Sequence, residues 1–185
     1  MALLADGVAP GAVYATLSTQ AGVARALAKL ETIKSALVWR SSDDPAARMV
    51  ADGRAAFTTI LNGEVFDAAM RGRRLGVIWD RQLYEFDVFG IPKGAPKRNT
   101  AMDFIRFATQ AENLAAVASW VPYGPARASA LPFVGDNPDL KIAMTPYLPT
   151  TREHFATAFA IDDEWWRLHG AGVEAPWQAW LAKGK

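Results

Sequence analysis

Two carboxylates stand two residues apart in the run Tyr84-Glu85-Phe86-Asp87-Val88-Phe89. In a strand with period-2 alternation, Glu85 and Asp87 share a face. A carboxylate buried on that face needs donors, and an organic ammonium caged by aromatic rings is one physical answer. The other is an edge strand with its acid side in water. Other chemistry is sparse. His154 and His169 are fifteen residues apart, which is no ligand spacing for one helical face. His169 reads as a cation near a helix end, complementing the dipole. Asp162-Asp163-Glu164 reads as the acidic first turn of a helix. Trp165 and Trp166 are adjacent, so on a helix their side chains diverge by about 100°, and one of them faces a groove or partner. Trp177 and Trp180 are three apart and read as packing residues. No Gly-x-Gly-x-x-Gly follows a strand, and there is no Walker lysine loop and no Gly-x-Ser-x-Gly elbow. An enzyme built on Asp/Glu chemistry would lack a paired base, a metal set and a cofactor loop. No activity of that kind and no cofactor is expected.

Composition narrows the classes further. The chain has 185 residues, 51% hydrophobic and 21% charged, which is globular composition. Length over about 150 gives one to two domains. Twenty basic against nineteen acidic residues leave a net charge of +1. That balance supplies no basic stripe for nucleic acid. Zero cysteines exclude thiol catalysis, disulfides and Cys-based zinc sites. The longest apolar candidate, Leu114 to Val121, contains Ser119 and precedes Pro122, far short of a membrane span. Asp6 and Pro10 interrupt the start, so no signal peptide is read there.

The elements that must hold these residues follow from periodicity. Val23, Leu27, Leu30, Ile33 and Leu37 predict an amphipathic helix after a turn at Gly7 to Gly11, with Ser18 or Thr19 as N-cap. Leu37-Val38-Trp39 predicts a buried strand, and Asp44-Pro45 opens a short helix to Ala51. Ala55 to Leu61, Leu75 to Trp79 and Tyr84 to Ile91 predict strands. Asn62-Gly63 reads as a strand-to-helix turn rather than a hairpin, because Glu64 to Met70 suits a helix. Asn99 or Thr100 caps a further helix, and Ala111 to Trp120 forms the next. Phe133 to Thr151 is irregular. Arg152 to Leu181 is helical with breaks at Gly170, Gly172 and Pro176. Strands alternating with helices give an α/β class.

The motifs form an ordered series. It runs from Leu4-Ala5-Asp6-Gly7-Val8 through Leu27 to Ile33, Val38-Trp39-Arg40-Ser41-Ser42-Asp43, Met49-Val50-Ala51-Asp52-Gly53 and Leu61-Asn62-Gly63. It continues with Tyr84 to Pro96, Ala101 to Ala108, Pro122-Tyr123-Gly124-Pro125 and Asp162 to Trp166. Over nearly the whole chain this resembles the C-terminal half of the spermidine/putrescine-type periplasmic solute-binding proteins of bacterial ABC importers. The resemblance implies a type II periplasmic-binding-protein-like fold of two α/β lobes with the ligand in the cleft. Residues 1–83 would form second-lobe core lacking its first strand and helix. Residues 84–121 would be the crossing strand and two helices of the first lobe, and 122–185 the return crossing and last second-lobe helices. The family's signal peptide and most of its first lobe have no counterpart, so Met1 would be an internal start, a cloning boundary or the start of a truncated gene.

The resemblance also implies a periplasmic importer component that closes on a small cationic solute, a polyamine first, and works with ABC permease subunits. It assigns ligand contact to Asp87, Tyr123, Ser42 and Trp166. The sequence departs from the family at Leu61, where tryptophan is common before Asn-Gly, and at Glu85, where a cage aromatic is expected. The family's acidic pair near the start of the second lobe would lie before Met1. Glu85 compensates as a second ammonium partner, with weaker cation–π binding at that wall; other cationic or amino-acid-like solutes stay open. The alternative is a degenerate copy without transport function, self-associating through the apolar faces of 84–91 and 99–120 that lack the missing N-terminal lobe.

Overall fold

Local helical periodicity survives into three dimensions, and strand patterning largely does not. A computed structural model describes residues 1–39 and 45–183. In chain order the elements are α1 (Ala2–Ala5), α2 (Val13–Leu17), α3 (Gln20–Glu31), α4 (Ala46–Ala51), α5 (Asn62–Met70), β1 (Leu83–Tyr84), α6 (Arg98–Ala108), α7 (Ala111–Trp120), β2 (Phe159–Ala160) and α8 (Asp163–Ala182). The chain divides into two units, Met1–Trp39 with Ile161–Lys185, and Arg40–Ala160. Among the described residues no helix is long and apolar enough to cross a membrane.

The first unit is helical. Thr19 caps α3 by accepting the Gly22 amide at 3.0 Å. Gly22 is required where α3 meets α2, because a Cβ there would fall 1.8 Å from the Thr16 carbonyl oxygen. The helix ends at Glu31, short of the predicted Leu37, and Ile33 and Leu37 flank a 3-10 turn, Lys34–Ala36. The expected buried strand at Leu37–Trp39 is unpaired, with Val38 and Trp39 exposed.

Asp162 caps α8 by accepting the Trp165 amide at 2.8 Å, and Asp163 and Glu164 fill the first turn as dipole partners. α8 then runs unbroken through Gly170, Gly172 and Pro176, against the predicted breaks. Proline removes a single hydrogen bond of the ladder. Buried tryptophans near both ends, Trp165 and Trp180, hold the helix on the unit. The Trp165 ring N–H donates to Ser18 Oγ at 2.8 Å, and the ring leans on Tyr14, 5.2 Å between centroids. His169 lies mid-helix rather than near an end, with its ring stacked on Trp165 at 5.1 Å. The Trp180 ring N–H donates to the Glu31 carboxylate. Lys34 Nζ lies 4.3 Å from the Trp180 ring centre and donates to its carbonyl at 2.6 Å.

The second unit packs α7 on the 3-10 segment Ala128–Phe133. Ala115, Ala118 and Ser119 are the buried face of α7. Ser119 Oγ donates to the Ala115 carbonyl and accepts the Gly135 amide, both at 3.0 Å. Buried Asn137 donates to the Trp120 carbonyl at 3.1 Å and accepts the Asp139 and Leu140 amides. α7 spans the residues its periodicity predicts. α6 starts one residue before Asn99, with Lys97 at its N-cap, so neither Asn99 nor Thr100 caps it.

β1 and β2 pair in parallel, Leu83 with Phe159 and Tyr84 with Ala160. Gln82 Nε2 fastens this ladder by donating to the Pro149 and His154 carbonyls, each at 2.8 Å. Beyond it, the expected strands at Ala55–Leu61 and Leu75–Trp79, and the rest of Tyr84–Ile91 past Tyr84, form no ladder among the described residues. A strand exists through its neighbour's N–H and C=O groups. Among the described residues only β2 offers any to these segments. Phe57 and Val88 are accordingly 78% and 86% exposed. The result is an α-rich, partial α/β fold with a small parallel sheet.

Candidate functional site

Glu85 and Asp87 lie immediately past β1, on the unpaired ribbon, and both are exposed. Among the described residues neither carboxylate meets a hydrogen-bond donor or a cation within ion-pair reach. Their neighbours Phe86, Val88 and Phe89 are exposed as well. Phe89 meets Phe104 of α6 edge-on at 6.0 Å, and Phe86 meets Tyr84 edge-on at 5.4 Å. The expectation of alternating faces fails here. With no strand on either side, both faces of the ribbon are open and the acids are flanked by rings rather than buried beneath them.

Tyr123 occupies the return segment after α7, between buried Pro122 and Pro125. Its phenol rests on the first turn of α5: a Cβ built on Gly63 would lie 2.7 Å from Tyr123 Oη. The Asn62 side-chain amide donates to the Pro122 carbonyl, so the helix start and the return segment are tied one residue before the tyrosine. Asn62 does begin a helix, as the strand-to-helix reading of Asn62-Gly63 requires. The phenol is 52% exposed, which leaves its outer face available to a ligand.

Trp166 belongs to the other unit. It is 41% exposed where its neighbour Trp165 is 8% exposed, so the two rings divide between solvent and core as their adjacency predicts. Ser42 lies outside the described residues. No hydrogen bond or ring contact among the described residues joins Glu85 or Asp87 to Tyr123. Two residues that sequence reasoning did not place in the site, Asn62 and Gly63, touch it. Their signal was the Asn-Gly pair, which was read only as a turn.

An apolar hollow lies between α5 and the chain at 75–79, lined by Val65, Phe66, Val77, Trp79 and Tyr147. It carries no charged group. Among the described residues no cluster of three or more His, Asp or Glu side chains is arranged to hold a metal. Among the described residues, Glu85 and Asp87 stand exposed beside ring faces.

The chain's relatives agree with a binding role. Residues 1–150 match the family model described as bacterial extracellular solute-binding protein. The gamma-aminobutyric acid-binding protein of Pseudomonas aeruginosa is 32% identical over 183 residues, 99% of this chain and 50% of that protein. A solved GABA receptor superposes with a TM-score of 0.68 at 27% identity, covering 100% of this chain and 53% of the other. The binding protein AgtB from A. tumefaciens, solved with agropinic acid, gives 0.67 at 26% identity, covering 98% and 54%. The chain thus spans about half the length of the curated relative it matches. A family match over residues 1–150, most of the chain, places it: the chain belongs to the bacterial extracellular solute-binding protein family.

Proposed function

We propose that this chain is the greater part of the second lobe, with the crossing segment, of an ABC-importer binding protein for a small solute bearing an ammonium group. Residues 1–83 and 122–185 serve the second lobe and 84–121 the first. The whole protein works in the periplasm, delivers to permease subunits, and closes its lobes around the solute. One observation carries the reading: Glu85 and Asp87 stand on a ring-flanked ribbon with no cation among the described residues against them. A solute ammonium supplies that partner, and Tyr123, Ser42 and Trp166 supply further contacts.

The polyamine implied by the sequence resemblance gives way to an amino-acid-like solute such as γ-aminobutyrate, which the names of the relatives favour. Calorimetric titration with γ-aminobutyrate and with putrescine separates the two. In the binding-competent protein, Asp87→Asn weakens amine binding by about 1.5–3 kcal/mol, the scale of a charge-assisted hydrogen bond. Unchanged affinity removes Asp87 from the site.

A second reading rests on the exposed rings. Phe86, Val88 and Phe89 of the ribbon, with Phe104 and Phe107 of α6, are exposed apolar residues of the segment assigned to the first lobe. The 185-residue chain by itself self-associates there. Light scattering at ~100 µM, within the range where such surface aggregates, tests this; a strictly monomeric species rejects it.

A further inference from the structure

The ribbon carries charge, but the orientation of Tyr123 is set elsewhere. Two neighbouring residues constrain it from the same helix end. Asn62 donates its side-chain N–H to the carbonyl of Pro122, fixing the backbone from which Tyr123 departs. Gly63 has no side chain where the phenol lies: an added Cβ would stand 2.7 Å from Oη, 3.1 Å from Cζ and 3.5 Å from Cε1. The first distance is one that real carbon–oxygen contacts do not sustain, so any side chain at this position displaces the phenol. The return segment is closely packed one residue on as well, since a Cβ on Gly124 would stand 2.1 Å from Thr150 Oγ1. At Gly63 the atom met is the free end of the Tyr123 side chain, so the phenol is the group that moves.

We propose that Asn62 and Gly63 are positioning residues for the Tyr123 phenol, setting where its hydroxyl meets the solute. The inference rests on the reading that Tyr123 touches the ligand, and the Asn-Gly pair is then a specificity device as well as a helix start. It makes the helix start and the solute contact one unit: a change of residue at position 63 shifts the hydroxyl without touching the solute.

Fluorotyrosine labelling tests the geometry on the 185-residue chain itself. Of the four tyrosines, the Tyr123 resonance is identified by its loss in Tyr123→Phe. Asn62→Ala and Gly63→Ala each move that ¹⁹F resonance and leave those of Tyr14 and Tyr84 in place. An unmoved resonance overturns the inference. The ligand role is read by a cycle in the solute-binding protein. Gly63→Ala lowers γ-aminobutyrate affinity by about three- to tenfold, the worth of one hydrogen bond, and has no effect in the Tyr123→Ala background. An equal loss in both backgrounds overturns the inference while the binding reading stands. A wild-type protein that binds neither γ-aminobutyrate nor putrescine overturns the binding reading and the ligand role with it, whatever the resonance does.

Discussion

Trp165 shows how much one side chain organises in the helical unit. Its ring is buried, its N–H is used by Ser18, and Tyr14, Trp166 and His169 all meet it. Trp165→Phe keeps most of the ring and loses the donor, leaving Ser18 Oγ its bond to the Tyr14 carbonyl. The expected cost is about 1 kcal/mol. Trp165→Ala empties the site and costs about 3–5 kcal/mol; urea titration of both variants gives the difference. Asp6 offers a pH handle in the same unit. The hydrogen bond from Arg25, at 2.6 Å, holds its carboxyl below the ordinary value of 3.8. A carboxylate depressed in the folded state contributes stability above its unfolded pKa and loses it as pH falls through the folded one. The contribution is therefore complete at neutral pH and is lost progressively below about pH 3.8, as pH falls through the lowered folded value. Asp6→Asn should flatten the acid limb of a Tm-versus-pH curve there and lower Tm slightly at pH 7.

At the scale of elements, close packing of glycine decides one junction. Because a Cβ added at Gly22 would lie 1.8 Å from the Thr16 carbonyl oxygen, Gly22→Ala must separate α2 from α3 despite alanine's better helix propensity. The expected loss is about 1–3 kcal/mol, the cost of overpacking, measured as a fall in the denaturation midpoint. The same scale shows what a sequence displays. α3, α5 and α7 were legible because their signals, including the Thr19 cap of α3, lie within a dozen residues. The strands at 55–61, 75–79 and 84–91 were legible as strand-forming sequence but not as strands, since pairing depends on a neighbour far away in the chain or outside these residues. α8 misled for the opposite reason: Gly170, Gly172 and Pro176 are local breakers overruled by buried Trp165 and Trp180. At the proposed site, Glu85, Asp87 and Tyr123 are visible as residue types, while the tie from Asn62 to the return segment crosses 60 residues and its one local signal, the Asn-Gly pair, reads as a turn.

For the whole molecule, the unsatisfied ribbons are the dominant property. Among the described residues the backbone amides of 57–61, 76–79 and 86–91 lack hydrogen-bond acceptors. Hydrogen exchange on the isolated chain should therefore be fast in these three stretches and slow in α7, whose face is buried. Protection of all three in a dilute monomer would mean that they pair within the chain after all. The chain's resemblance to half of longer proteins makes this exposure intelligible, because a sheet divided between two halves of a sequence leaves strand-forming segments without partners.

The helical unit is assembled from both ends of the chain, Met1–Trp39 and Ile161–Lys185. On a ribosome, α3 emerges long before α8. At about 5–20 residues per second, the intervening stretch of about 120 residues takes roughly 6 to 24 s to synthesise. Throughout that interval Glu31, Lys34 and Ser18 wait for tryptophans that have not been made. Nascent chains arrested before α8 should be sensitive to protease within 1–39, and those released after it resistant, so the last helix acts as the timer for the first three.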